Sequence, residues 1–261
     1  MRTARSVGPR TFLRRQADRA LSLLRSTPTR GRILLYHEID DILGGSPVQR
    51  VSPARFREHV HWLRERGLRG ASVASMRAEG TPASVVGLSF DDGYASAGRA
   101  CSEIIAMGWS ATLYVCPAWV EERRPGLLTW DDLRELSAAG MEIGAHGLAH
   151  ERLCGADLAR LTALLVEARE RIVQALGKEV TGLAYPEGLA SATARGAAQG
   201  AGYRYACSTI PASNDERADP YWLGRNEVHD TDGRRLLIGR LAGADDWMRP
   251  VRSLENARRC R

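Results

Sequence analysis

Two adjacent carboxylates, Asp91 and Asp92, followed by Gly93, stand directly after the apolar run Val85-Val86-Gly87-Leu88-Ser89-Phe90. Side chains alternate along an extended chain, so neighbouring aspartates point different ways and can take different tasks. One can bind a cation while the other moves protons. Asp-Asp-Gly is also good turn and capping chemistry, so the pair alone leaves both readings open. His146 and His150 place two imidazoles four residues apart. On one helical turn they share a face, which is metal-ligand spacing, although surface helices carry such pairs by chance. Two neutral imidazoles with one carboxylate make a three-ligand catalytic metal site with open positions.

The elements that must position these groups alternate between strand and helix from residue 31. Arg32 to Tyr36, Val85 to Phe90, Ala111 to Val115, Met141 to Ala145, Gly182 to Tyr185 and Tyr203 to Ser208 read as strands. Ser52-Pro53 opens a helix carrying Phe56, Val60 and Leu63 on one stripe. Thr129 caps a helix that Gly140 closes, and Asp157 to Leu176 is the longest, with Leu158, Leu161, Leu165, Ala168 and Ile172 on its buried face and Gly177 beyond it. Leu236 to Leu241 fits a strand or a helix. Repeated strand–helix units imply a parallel sheet, open or closed into a barrel, whose strand C-terminal ends share one face. His37, Asp91-Asp92, His146 and Tyr185-Pro186 each follow or end a strand, so they converge there.

Leu88-Ser89-Phe90-Asp91-Asp92-Gly93 resembles the Thr-Phe-Asp-Asp-Gly motif of the polysaccharide deacetylase (NodB-homology) family, and His146 to His150 its His-x-x-x-His motif. Leu35-Tyr36-His37 and Ala184-Tyr185-Pro186-Glu187-Gly188 resemble the Tyr-His and Tyr-Pro-x-Gly elements of one large branch. The resemblance spans roughly residues 31 to 245 and implies a distorted (β/α) barrel, usually seven-stranded. It implies Asp91 as catalytic base, Asp92, His146 and His150 as ligands of a divalent metal, zinc by expectation, and Tyr185 and Pro186 as substrate-binding residues. The implied reaction is hydrolysis of an N-acyl, typically N-acetyl, amide on an amino sugar in a glycan, a lipid-linked sugar or a glycosylated metabolite. Water activated by the metal attacks the carbonyl, Asp91 takes its proton, and the backbone N–H of Glu187 holds the oxyanion.

The family's late Leu-x-His element is not clearly present, which makes His37 the first candidate for the acid and His229 a second. Ala184 stands where the family has an arginine, so Arg225 is the substitute for orienting Asp91. Gly147 replaces the usual Ser or Thr after the first metal histidine. A small-molecule amidase or deformylase of the same chemistry, and a non-catalytic glycan-binding barrel, are the competing readings. Four retained groups, Asp91, Asp92, His146 and His150, weigh against the last.

The chain has 261 residues, of which 44% are hydrophobic and 26% charged, ample for one folded domain. The expected organisation is a basic arm at 1–30, the barrel at 31–245 and a basic tail at 246–261. The net charge is +6, concentrated at the ends, and no stacking-aromatic or recognition-helix pattern accompanies it, so nucleic acid is not an expected partner. No signal peptide or membrane span is evident, and the basic, weakly amphipathic Phe12 to Leu24 could touch a membrane surface peripherally. Five widely spaced cysteines argue against a disulfide framework and for a reducing, cytoplasmic setting. Cys154 is expected as a packed thiol. Trp109, Trp119, Trp130 and Trp222 fit core positions or a sugar groove. His59 and His61 sit in an expected surface helix with no assigned role.

Overall fold

The computed structural model describes residues 28–41 and 49–260. Most of the expected arm, including Phe12 to Leu24 with its expected membrane contact, lies outside those residues. The strands are β1 (Ile33–Tyr36), β2 (Glu38–Ile39), β3 (Arg50–Val51), β4 (Arg69–Ala71), β5 (Val85–Phe90), β6 (Thr112–Val115), β7 (Glu142–Ala145), β8 (Gly182–Ala184), β9 (Tyr205–Cys207) and β10 (Asn226–Glu227). Seven run parallel in the order β10-β1-β5-β6-β7-β8-β9 and curl into a half-barrel, with β4 added on β5. This is the distorted single-domain barrel that the motifs imply. Strands β2 and β3 form a separate parallel pair.

Strands β1 and β5 are buried at every position because both faces are covered. Such strands read as continuous apolar runs, which is why they are visible in the sequence. Outside the sheet, Leu34, Tyr36, Leu88 and Phe90 join Phe56, Val60 and Leu165 of the helices in one core. Inside the curl, Ile33, Val85, Tyr114, Ala184 and Tyr205 form a second. The inner core has a polar centre: Tyr114 Oη donates to Tyr205 Oη at 3.1 Å, and Tyr205 Oη to Glu142 at 2.8 Å. Gly182 makes room for it, since a Cβ there would lie 2.2 Å from the Tyr205 hydroxyl.

The helices begin and end where the capping residues place them. Ser52 accepts from Arg55 N ahead of Pro53–Glu65, and Thr129 with Asp132 forms a capping box on Trp130–Ala138. Gly177 takes the left-handed conformation after Leu158–Leu176. That helix buries Leu161, Leu165, Ala168 and Ile172, each large side chain contributing roughly 1.5–3 kcal/mol. Leu158, expected on the same face, is exposed at the first turn.

Several expectations need correction. The ambiguous stretch near Leu236 is a helix, Arg234–Leu241, and the expected tail contains another, Arg249–Arg259. His59 is fully buried, with Tyr36 Oη 3.2 Å from its Nδ1 and the Asp232 carbonyl 2.6 Å from its Nε2. Cys154 is no free thiol: it is bonded to Cys260, 106 residues away. Cys101, Cys116 and Cys207 are buried free thiols, and burial pushes Cys207 up to about 11 and Cys101 to about 12.

Candidate metal centre

The parallel register brings the strand ends together. Tyr36 pairs with Phe90, which sets His37 beside Asp91, and Val115 pairs with Ala145, which sets His146 beside Cys116. Asp92 Oδ1 lies 3.4 Å from His146 Nε2 and 3.6 Å from His150 Nε2. One ligand atom from each of Asp92, His146 and His150 lies within 4.8 Å of the others. Asp92 Oδ1 is buried and has no hydrogen-bond partner among the described residues. An orphaned carboxylate oxygen facing two imidazole nitrogens is costly unless a cation satisfies it. The carboxylate and imidazole donors suit a divalent ion such as zinc.

The residues around the triad orient it. His146 Nδ1 lies 2.8 Å from the Ala184 carbonyl, so Nδ1–H donates there and Nε2 is left with its lone pair toward Asp92. His150 stacks on Trp119, with ring centroids 5.3 Å apart at 19°. The four-residue spacing of the histidines does not work through a helical turn, contrary to expectation. His150 adopts a left-handed backbone, φ 62°, in a loop after β7. Glu151 ties that loop by accepting from Leu148 N at 2.9 Å and Ala149 N at 2.6 Å. Gly147 suits it, because its φ is 72° and a Cβ would lie 3.2 Å from Pro186 Cγ. Asp92 and Glu187 are left-handed too, at φ 70° and 57°. Three strained non-glycine residues in one site are the pattern of backbone held for function.

Asp91 points away from the ligand cluster toward Arg225. The guanidinium donates from Nη1 to Oδ1 at 2.6 Å and from Nη2 to Oδ2 at 2.7 Å, and from Nε to the Ser208 carbonyl at 2.9 Å. Burial alone would raise the Asp91 pKa, but Arg225, then His146 and more weakly His37, outweigh it and bring the carboxyl down to about 2. Asp91 Oδ2 still lies 3.9 Å from His146 Nε2, next to the triad. His37 is largely buried, its Nδ1 3.9 Å from Glu227 Oε1.

Tyr185 and Pro186 divide. The Tyr185 ring is fully buried and its hydroxyl donates to the Tyr221 carbonyl at 2.9 Å, so it supports the segment from below and does not line a groove. Pro186 lies against the His146–His150 loop. The Glu187 carboxylate accepts from Arg152 at 2.8 and 3.0 Å and also from Arg259. The backbone N–H of His229 donates to Asp232 Oδ2 at 2.9 Å. Glu227 and Glu151 escaped sequence reasoning. Glu151 adjoins His150, which was its only signal, and Glu227 lies on a two-residue strand too short to show periodicity.

The open parallel half-barrel with an Asp/His/His cluster and a separate buried carboxylate at its strand ends defines a class of metal-site α/β domain. Residues 78–206 match the family model described as polysaccharide deacetylase, and the chain belongs to that family. A deacetylase from Streptococcus pyogenes solved with acetate superposes with a TM-score of 0.74 at 20% identity, covering 82% of this chain and 99% of that one. A de-N-acetylase from Aggregatibacter actinomycetemcomitans gives 0.72 at 20%, over 81% and 99%. A polysaccharide deacetylase from Bacillus cereus gives 0.70 at 21%, over 82% and 69%. These likenesses show a shared fold. No curated protein matches the chain.

Proposed function

We propose that the protein is a zinc-dependent hydrolase that removes an acyl group, most simply acetyl, from the nitrogen of an amino sugar. The observation that carries this reading is the buried, unpartnered Asp92 Oδ1 facing two imidazole nitrogens, with the Arg225-held Asp91 beside it. Similar folds in a deacetylase and a de-N-acetylase support it.

Asp92, His146 and His150 would hold the ion, and a divalent ion there supplies a Lewis acid for the acyl carbonyl and acidifies water at neutral pH. Asp91, kept ionised by Arg225, accepts the proton of the attacking water. The Glu187 N–H donates to the oxygen of the tetrahedral species. His37 protonates the departing amine. Arg225 is a positioning residue, since it acts on the reaction through Asp91.

The Cys154–Cys260 bond supports an oxidising setting over the cytoplasmic one that the cysteine count suggested, because such bonds persist where thiols are not continually reduced. The test is acetate release from soluble N-acetylglucosamine oligomers by the zinc-loaded protein. Release by wild type but not by Asp91→Asn is expected. No release by zinc-replete wild type from any N-acetylated sugar would sink the proposal.

A further inference from the structure

Two imidazoles face Asp92, and different means orient them. The His146 side chain is 3% exposed, and its Nδ1 is fixed on the Ala184 carbonyl. A metal-ligating histidine ordinarily has such a partner on its second nitrogen, which sets ring angle and tautomer. Among the described residues the His150 ring finds no such partner, and its side chain is 28% exposed. A partly exposed imidazole without that bond turns about χ1 and χ2 unless a neighbour blocks it.

The backbone beneath that ring is held by the segment after β6, which runs alongside residues 146–150. His146 N donates to the Val115 carbonyl at 2.8 Å, Cys116 Sγ to the His146 carbonyl at 3.0 Å, and Ala118 N to the Leu148 carbonyl at 3.1 Å. None of these bonds reaches the His150 ring. Two aromatic contacts do. Trp119 stacks on it, with centroids 5.3 Å apart and planes at 19°, and His146 meets it edge-on at 5.0 Å and 70°. Trp119 has its own anchors. It sits in the short helix Pro117–Glu121, whose Pro117 and Val120 are buried, and the Arg124 guanidinium lies 4.6 Å over its ring.

The stack also favours one state of the histidine. An imidazole bound to a divalent ion shares the positive charge, and an indole face attracts a cationic group more than a neutral ring. Granted the metal site proposed above, we infer that Trp119 is a positioning residue of that site. Its indole holds His150 in the ligating orientation, as the Ala184 carbonyl holds His146. The flat face is what matters, because stacking fixes the plane of the imidazole whereas aliphatic bulk only fills space beside it.

The test compares Trp119→Leu, which keeps apolar bulk, with Trp119→Phe, which keeps a flat face, in the full chain stripped of metal. Zinc affinity is read by competition with a chromophoric chelator, and cobalt loading by its visible d–d bands. Trp119→Leu should bind zinc about tenfold more weakly and show altered cobalt bands, at the metal-free melting temperature of wild type. Trp119→Phe should stay within about threefold of wild type, with unaltered bands. Trp119→Gln takes the place of the leucine variant should that variant not fold. Wild-type zinc affinity and cobalt bands in Trp119→Leu would overturn this role. So would an equal loss in Trp119→Phe, which would reduce the indole to packing. A raised KM at unchanged zinc affinity would assign the ring to substrate and overturn it as well. Wild type that binds neither ion would overturn the metal site itself, an outcome the wild-type titration tells apart from all the others.

Discussion

Arg225 grips Asp91 from 134 residues away through two parallel hydrogen bonds of 2.6 and 2.7 Å, and both side chains are buried. The pair sets a carboxylate that is charged in the interior yet bonded on its outer side by a fixed cation. Its folded pKa of about 2 lies below the ordinary 3.8. A depressed pKa contributes stability that is full above the unfolded value and disappears as pH falls through the folded one. In metal-free protein this contribution should therefore be constant from pH 7 down to about 4 and decline from there toward about 2. Arg225→Met strands the carboxylate, should cost about 3–5 kcal/mol and should move the Asp91 titration upward, since burial then dominates. Urea unfolding across a pH series checks both. An unchanged acid limb in the variant would show that Arg225 does not hold the charge.

The metal triad predicts a different signature. Wild type should retain about one divalent ion per chain after dialysis, whereas Asp92→Ala and His146→Ala should lose it together with activity. Added zinc should raise the melting temperature of metal-stripped wild type and leave that of Asp92→Ala unchanged. Asp91→Asn should keep the ion while turnover falls by about 10²-fold or more. Elemental analysis beside acetate release separates these cases. An Asp91→Asn protein without metal would place Asp91 among the ligands.

The parts of this site that are legible in the sequence are those written in short-range pattern. Val85 to Phe90 is a nearly continuous apolar run ending abruptly in Asp91, because a strand covered on both faces has no polar side to show, and Met141 to Ala145 ends in His146 with Glu142 as its one charged residue. Parallel pairing then sets the ends side by side. The geometry of His150 is not legible, since a spacing of four suits a helical turn while a left-handed residue and the Glu151 carboxylate build a loop. The Cys154–Cys260 pairing is hidden for a related reason: spacing carries no information on which cysteines meet. Glu227 beside His37 depends on β10 joining β1, a two-residue pairing without periodicity.

The disulfide closes a segment of 106 residues that includes the helix Leu158–Leu176 and strands β8 to β10. Loop closure on that scale is worth up to about 5 kcal/mol in the chain-entropy account. Cys260→Ser should lower the melting temperature, and reductant should lower that of wild type but not of the variant. Metal content should not change, because Cys154 is not a ligand. A wild-type melting temperature insensitive to full reduction would contradict the cross-link's role.

Glu187 contributes to the proposed chemistry through its backbone, and its carboxylate only joins Arg152 to Arg259. Those pairs are largely solvated, so water and salt screen them and they add little to stability. Glu187→Gln should hold kcat within a few-fold of wild type and shift the unfolding midpoint only slightly. A fall in kcat as large as that of Asp91→Asn would mean the carboxylate itself touches the reacting groups.

His37 is the residue placed to return a proton to the departing amine, being next to Asp91 by register and carrying a buried Nδ1 near the Glu227 carboxylate. His37→Gln should keep the metal and lower kcat by about 10²–10⁴-fold. The loss should shrink for an anilide substrate, whose amine leaves with less need of a proton. Glu227→Gln should give a smaller fall in kcat with KM unchanged, since it orients the imidazole without meeting substrate. His229→Ala should leave turnover intact, because His229 lies past the end of β10, two residues beyond the Glu227 that faces His37. Full activity in His37→Gln with loss in His229→Ala would reverse the assignment of the acid.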